Sequence, residues 1–286
     1  MGVKILTDSC CDLPMEIYKE YDIDVLPIVV LKDDKEYLDR VSIQPIEVYD
    51  GMRNGDIFKT AQITPISFKE KFEEYASNNI SVIYIAFSSA LSGTYQTSLF
   101  VRDTIKEKYP NFDIEIVDTK AASLGFGLMV LHAAKLARDG KSKNDILTEL
   151  KFFRDKLESI FTVDDLEYLF RGGRVSKTAS IVGGLLSIKP ILEVSDEGEL
   201  IPIEKIRGRN KVFKRMVEMM TERAKDADLA NQTVAISHGD DLESVYKLKE
   251  LIEQEFGTKS FLISDIGAAV GSHAGPGTIA LFFLSK

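Results

Sequence analysis

Tryptophan is absent, and cysteine occurs only as the adjacent pair Cys10 and Cys11 in 286 residues. Neighbouring cysteines do not bridge without strain, and no CxxC or other zinc-type spacing is present, so neither a disulfide framework nor a structural zinc carries this fold. Histidine is scarce: only His132, His238 and His273 are available for proton transfer. No apolar run is long enough to span a bilayer, and Met1-Gly2-Val3-Lys4-Ile5-Leu6 is too short in its apolar run for a signal peptide. The expected compartment is a reducing cytoplasm. Positive charge is in deficit, with 36 Lys and Arg against 45 Asp and Glu for a net charge of -9. That balance disfavours a duplex nucleic-acid or anionic-membrane face, which needs basic side chains. Nucleotide-phosphate loops are missing as well: neither GxxxxGK[ST] nor GxGxxG after a strand occurs.

What is present is a sizeable apolar content, 44% of residues, enough for one large domain or two ordinary ones. Apolar strands at 3–6, 82–87, 114–117, 159–163, 234–236 and 260–263 alternate with helical stretches such as 94–108, 123–138 and 211–225. This alternation predicts an α/β protein with mostly parallel sheets. An edge strand is expected at 35–38, and a hairpin joins 188–194 to 200–206 around Asp196-Glu197-Gly198. Residues 59–65 read as irregular, and Ser67-x-x-Glu70 as the capping box of the next helix. A boundary near Ser159 divides the chain into 1–158 and 159–286.

Polar residues recur at the carboxyl ends of the strands: Thr7-Asp8-Ser9, 88–94, Asp118-Thr119 and 237–240. In open α/β sheets that edge is where ligands bind. Ser92-Gly93-Thr94 lies between a buried strand and a helix N-terminus, where free N–H groups and the helix dipole favour a phosphate or carboxylate. Arg171-Gly172-Gly173-Arg174 and Arg207-Gly208-Arg209 place guanidinium groups around flexible glycines, a donor set for the same anions. Gly271-Ser272-His273-Ala274-Gly275-Pro276-Gly277 reads as a loop before the last apolar strand, with one imidazole at its centre. His132 reads as a helix-face residue, and His238 sits in a loop after a strand. Ser92, His273 and an aspartate could form a hydrolytic triad, but no G-x-S-x-G elbow accompanies them.

In combination these motifs resemble the DegV family over nearly the whole chain. Thr7-Asp8-Ser9 with Asp12-Leu13-Pro14, Lys59-Thr60-Ala61-Gln62, the 88–96 stretch, 166–174, Lys189-Pro190-Ile191 and the 271–277 loop carry the resemblance. It implies two α/β domains with a long-chain fatty acid in the cleft between them. It further implies a lipid carrier that is not itself an enzyme. The resemblance implies that a separate ATP-binding fatty-acid kinase subunit would phosphorylate the bound carboxylate, the acyl-phosphate then feeding phospholipid synthesis. Thr60, Ser92, Gly93 and His273 would hold the carboxylate; Arg171, Arg174 and Arg207 would lie near the head group or the partner surface. No cofactor or metal is expected beyond the fatty acid as ligand, no nucleic-acid partner, and only transient membrane contact. Two departures stand out: Ala61 and Ile63 replace polar or proline positions, and Cys10 and Cys11 occupy places usually small and polar. The alternatives are a self-sufficient Ser/His hydrolase or small-molecule kinase, and a module that senses a lipid or sugar acid.

Overall fold

The computed structural model describes residues 2–176 and 188–286. In its first part, β1 (Lys4–Asp8) leads through a 3-10 turn (Ser9–Cys11) to α1 (Met15–Glu20), β2 (Asp24–Leu26), β3 (Val29–Lys32), β4 (Lys35–Leu38), α2 (Pro45–Arg53) and β5 (Phe58–Ala61). Then come α3 (Pro65–Ser77), β6 (Val82–Ala86), α4 (Thr94–Lys108), β7 (Ile114–Asp118), α5 (Ser123–Arg138) and α6 (Lys143–Lys156). The remainder supplies β8 (Leu157–Thr162), α7 (Leu166–Arg171), β9 (Ile188–Val194), β10 (Leu200–Arg207), α8 (Arg209–Ala224), β11 (Thr233–His238), α9 (Leu242–Phe256), β12 (Ser260–Asp265), α10 (Ala268–Ala274) and β13 (Ile279–Leu284). None of these helices is long and apolar enough to cross a membrane.

The α/β class holds. One sheet, ordered β2-β1-β6-β7, is parallel throughout, and all five residues of β6 are buried, as a strand covered on both faces requires. The expectation of mostly parallel sheets does not extend further. In the six-stranded sheet, β10-β9-β8-β13-β11-β12, only β11 with β12 is parallel among five pairings. The cause is connectivity: β9 and β10 form a tight hairpin, and the last strand inserts antiparallel between β8 and β11. A small antiparallel sheet, β4-β3-β5, completes the set.

Three local expectations also change. Residues 58–61 form β5 because they pair with β3, placing Thr60 opposite Val30; such pairing is invisible in local polarity. The cap of α3 is Thr64, whose Oγ1 accepts the Ser67 N–H at 3.1 Å, with Pro65 in the first helical turn. The first part of the glycine loop is helical, since α10 runs through Gly271, Ser272 and His273 to Ala274 before Gly275 turns the chain at φ 83.

The six-stranded sheet is two-faced, and the period-2 alternation of its strands decides what each face touches. Ile160, Ile191, Val234, Ile236, Ile279, Leu281 and Phe283 pack into a core with α8 and α9. Their alternates Phe161, Leu192, Ala235, Ala280 and Phe282 face the other way, into the core shared with residues of the parallel sheet and α5. Helix α5 lies between the two sheets and contacts β1, β8, β11 and β13. Gly127 brings it flush to the 3-10 turn: a Cβ there would collide with the Cys11 carbonyl and meet Leu13 at 3.2 Å. Gly127→Ala is therefore expected to destabilise by about 1–3 kcal/mol, outweighing the roughly 1 kcal/mol that alanine adds within a helix. Urea unfolding monitored by circular dichroism checks this; a rise in midpoint would contradict it.

Candidate functional site

A cavity of about 300 Å³ lies where these layers meet. Its apolar walls include Ile28 and Phe87 from the first part of the chain and Phe161, Val194, Leu200 and Phe282 from the six-stranded sheet. The polar residues come from few elements: Cys10 in the 3-10 turn, Thr60 and Gln62 at β5, Ser92 and Gly93 before α4, Ser123 at the start of α5, Arg174 after α7, His273 on α10 and Thr278 before β13. A smaller cavity of about 200 Å³ adjoins it and is lined by Lys59, Tyr168, Arg171 and Ser272 among others. The two cavities share Thr60, Arg174 and His273, so these three residues form the partition between an apolar chamber and a polar one.

Each member of the partition has a structural reason for its place. Thr60 projects from the middle of β5 and is half-buried. Its Oγ1 lies 2.7 Å from His273 Nε2, a hydrogen bond spanning 213 residues. Gly172 makes room for the imidazole, because a Cβ there would overlap Nδ1 and approach the ring carbons at 3.0 and 3.1 Å. His273 Nδ1 is buried, and no hydrogen-bond partner is found for it among the described residues. Burial and the nearby Arg174 guanidinium push the imidazole pKa down to about 3, so the ring is neutral. Arg174 spans back to carbonyl oxygens, donating to Leu91 at 3.2 and 3.0 Å and to Gly172 at 2.5 Å. No carboxylate pairs with Arg174 among the described residues. Burial lowers its pKa without displacing its charge from the range where guanidinium stays protonated. A half-buried cation with no carboxylate partner among the described residues, beside a neutral hydroxyl–imidazole pair, is a donor set suited to an anion.

The structure brings Thr60, Ser92, Gly93, Arg174 and His273 around one cavity. Arg171 lines only the smaller chamber, where its guanidinium lies 5.8 Å from the Tyr168 ring centroid and 3.8 Å from Glu167. Arg207 is elsewhere: it ends β10 opposite Ile188, is exposed and lines neither chamber. His132 sits on α5 near Glu149 and the Phe153 ring. His238 spends its Nδ1 on the Asp241 N–H at 3.2 Å, outside both chambers. The hydrolytic triad does not assemble: Ser92 Oγ donates to Thr94 Oγ1 at 2.9 Å, and Thr60, rather than a serine nucleophile, meets the imidazole. Gln62, noted in the sequence only as the end of the Lys59-Thr60-Ala61-Gln62 motif and not as a site residue, also lines the cavity and donates to Thr97 Oγ1 at 2.9 Å. The apolar lining from β13 was legible only as part of a continuous apolar strand.

Residues 2–286 match a family model described as "Uncharacterised protein, DegV family". The chain belongs to the DegV family. A DegV domain-containing protein of Clostridium perfringens is 44% identical over 98% of this chain and 96% of its own length. Among solved DegV structures, a fatty-acid-binding member from Thermus thermophilus is 29% identical with a TM-score of 0.90, both chains covered in full. The fatty-acid-binding DegV of Bacillus subtilis is 28% identical with a TM-score of 0.87, again over the whole of both chains. A stearic-acid-binding protein of Eubacterium ventriosum is 27% identical with a TM-score of 0.89, covering 99% of this chain and 98% of that one.

A base whose folded pKa lies below its ordinary value binds fewer protons folded than unfolded, so it stabilises the fold less as pH falls. From pH 6.5 down to about 3, the stability of the protein should therefore drop relative to His273→Gln, by at most about 1.4 kcal/mol per pH unit. The difference should be flat above pH 6.5. Paired urea titrations across this range read it; parallel curves for the two proteins would contradict the assignment of a buried neutral imidazole.

Proposed function

We propose that this protein binds a long-chain fatty acid, with the acyl chain in the larger cavity and the carboxylate at the Thr60–Arg174–His273 partition. The observation that carries this reading is the coincidence of an apolar chamber with an unpaired guanidinium at its polar end. Each methylene removed from water contributes roughly 0.8 kcal/mol, and a desolvated carboxylate needs several donors to offset its lost hydration. Arg174 supplies charge, and Ser92, Gly93 and the first N–H groups of α4 supply dipoles. With a neutral imidazole, a proton on Nε2 donated to Thr60 Oγ1 leaves the threonine hydroxyl hydrogen free for the carboxylate. This tautomer also turns the Nδ1 lone pair, rather than an unpaired N–H, toward the Arg174 field. Fatty acids named in the Thermus, Bacillus and Eubacterium relatives support the same ligand class.

The finer role is that of a carrier rather than an enzyme: the chain presents the carboxylate to a separate ATP-binding kinase subunit. A carboxylate oxygen attacks the terminal phosphorus of ATP, the bond to ADP breaks, and an acyl-phosphate for phospholipid synthesis results. Two features support this. The sequence carries no nucleotide-phosphate loop of its own, and the smaller chamber leads from the partition to the exposed cations Lys59 and Arg171. In this reading the chain divides into domains 1–158 and 159–286, it is cytoplasmic, and its membrane contact is transient.

Solvent extraction of the purified protein followed by mass spectrometry should yield a long-chain acid, and delipidated protein should take up oleate. Arg174→Gln and His273→Ala should each weaken oleate binding about tenfold or more while leaving methyl oleate unaffected. No copurifying acid together with no oleate uptake would overturn the proposal.

A further inference from the structure

The imidazole of His273 is only as well placed as α10, a short helix with an unusual anchorage. Its N-cap residue, Gly267, has no side chain with which to cap the first N–H groups. Two buried carboxylates from the far end of the chain take over. Asp12 Oδ1 accepts the Gly267 N–H at 2.8 Å and Asp39 Oδ1 accepts the Ala268 N–H at 2.9 Å. Both aspartates are essentially solvent-free, at 0% and 1% exposure. Their second oxygens are also committed: Ser123 Oγ donates to Asp12 at 2.6 Å and Ser9 Oγ to Asp39 at 2.9 Å. Arg40 closes the group, donating to the Asp265 carbonyl at 2.8 Å and lying 3.8 Å from Asp12. Tyr49 adds a hydrogen bond to the Ile266 carbonyl at 2.9 Å.

Burial pushes both carboxyls above the ordinary carboxylate range, while Arg40 pulls the other way. Such a cluster is a poor way to stabilise a core, because apolar side chains of the same volume do so without desolvating charge. It is a good way to fix a helix end in one place, since directed hydrogen bonds to enclosed acceptors tolerate little displacement. We infer that Asp12 and Asp39 are positioning residues for His273, holding the start of α10 so that the ring meets Thr60 on β5. This rests on the reading of His273 as a head-group residue. The Thr-Asp-Ser and Asp-Leu-Pro motifs near the N-terminus thereby act at the site without touching it: among the described residues, neither Asp12 nor Asp39 lines the chambers that Thr60 and His273 divide.

The groups facing the His273 ring are Thr60 on β5, Gly172 after α7 and the Arg174 guanidinium. The test uses the full chain labelled at histidine, with ring resonances followed by NMR from about pH 5 to about pH 8. In the parent protein the His273 signals should stay fixed. In Asp12→Ala and Asp39→Ala they should begin to titrate within that window as the ring leaves its enclosure. Loss of a nearby negative charge alone would lower the imidazole pKa, so an upward shift reports position. Leu248→Ala, a cavity variant in the second core, should lower stability without moving His273. Asp39→Asn, which keeps an acceptor for the Ala268 N–H, should restore a flat profile. Should the alanine variants fail to fold, Ser9→Ala, which strips one donor from Asp39, should give the same titration in milder form. A His273 signal that stays fixed in the folded Asp or Ser9 variants, or that titrates equally in Leu248→Ala, would overturn the inference. The readout needs no lipid: a shifted His273 in a protein that takes up no oleate would sink the lipid reading and keep this one. Normal oleate uptake with an unmoved His273 would do the reverse.

Discussion

The hydrogen bond between Thr60 and His273 joins parts of the chain that have no local reason to meet, and the site depends on it. One partner comes from a small antiparallel sheet near the start of the chain, the other from a short helix just before the last strand. Burial keeps the imidazole neutral, and the half-buried Arg174 charge beside it is screened less than it would be in bulk water. In water the same three groups would attract an anion weakly. At the end of an apolar chamber an anionic head on an apolar tail would match both halves of the site, because a neutral occupant leaves the guanidinium without a counter-charge.

The apolar half of the site follows from the two-faced sheet. Odd residues of β13 build a core with α8 and α9, which fixes the sheet; even residues are thereby free to line a chamber. Both faces of the strand are packed, one into the core with α8 and α9 and the other into the core shared with α5 and against the cavity. A substitution at Phe283 or Leu281 acts on folding alone, while one at Ala280 or Phe282 acts on folding and on the shape of the cavity. The polar end is held separately, by the buried aspartates at the start of α10 and by Gly172 behind the ring.

Much of this was legible in the residues. Buried strands such as β6 announced themselves as continuous apolar runs, and α5 from Ser123 to Arg138 was bounded as expected. Ser92-Gly93 and the imidazole in the 271–277 stretch, singled out by residue type and setting, do line the same cavity. What could not be read were long-range effects. β5 looked irregular because its strand character comes from pairing with β3. α10 looked like a loop because the groups that cap it lie 255 and 229 residues away. The two arginine clusters looked equivalent in sequence. Only Arg174 reaches the partition, Arg171 lines the polar chamber and Arg207 lies apart from both, a distinction that tertiary placement alone provides.

The central claim is the direction in which the ligand lies: tail against the inward face of the six-stranded sheet, head at the partition. A crystal structure of the protein with a long-chain acid brominated at its terminal carbon measures this directly, because anomalous scattering locates the bromine. The account predicts carboxylate oxygens within hydrogen-bonding distance of Thr60 Oγ1 and the Arg174 guanidinium, with the bromine peak deep in the apolar cavity. A bromine peak at Thr60 and His273, or an acid bound outside the cavity, would contradict it.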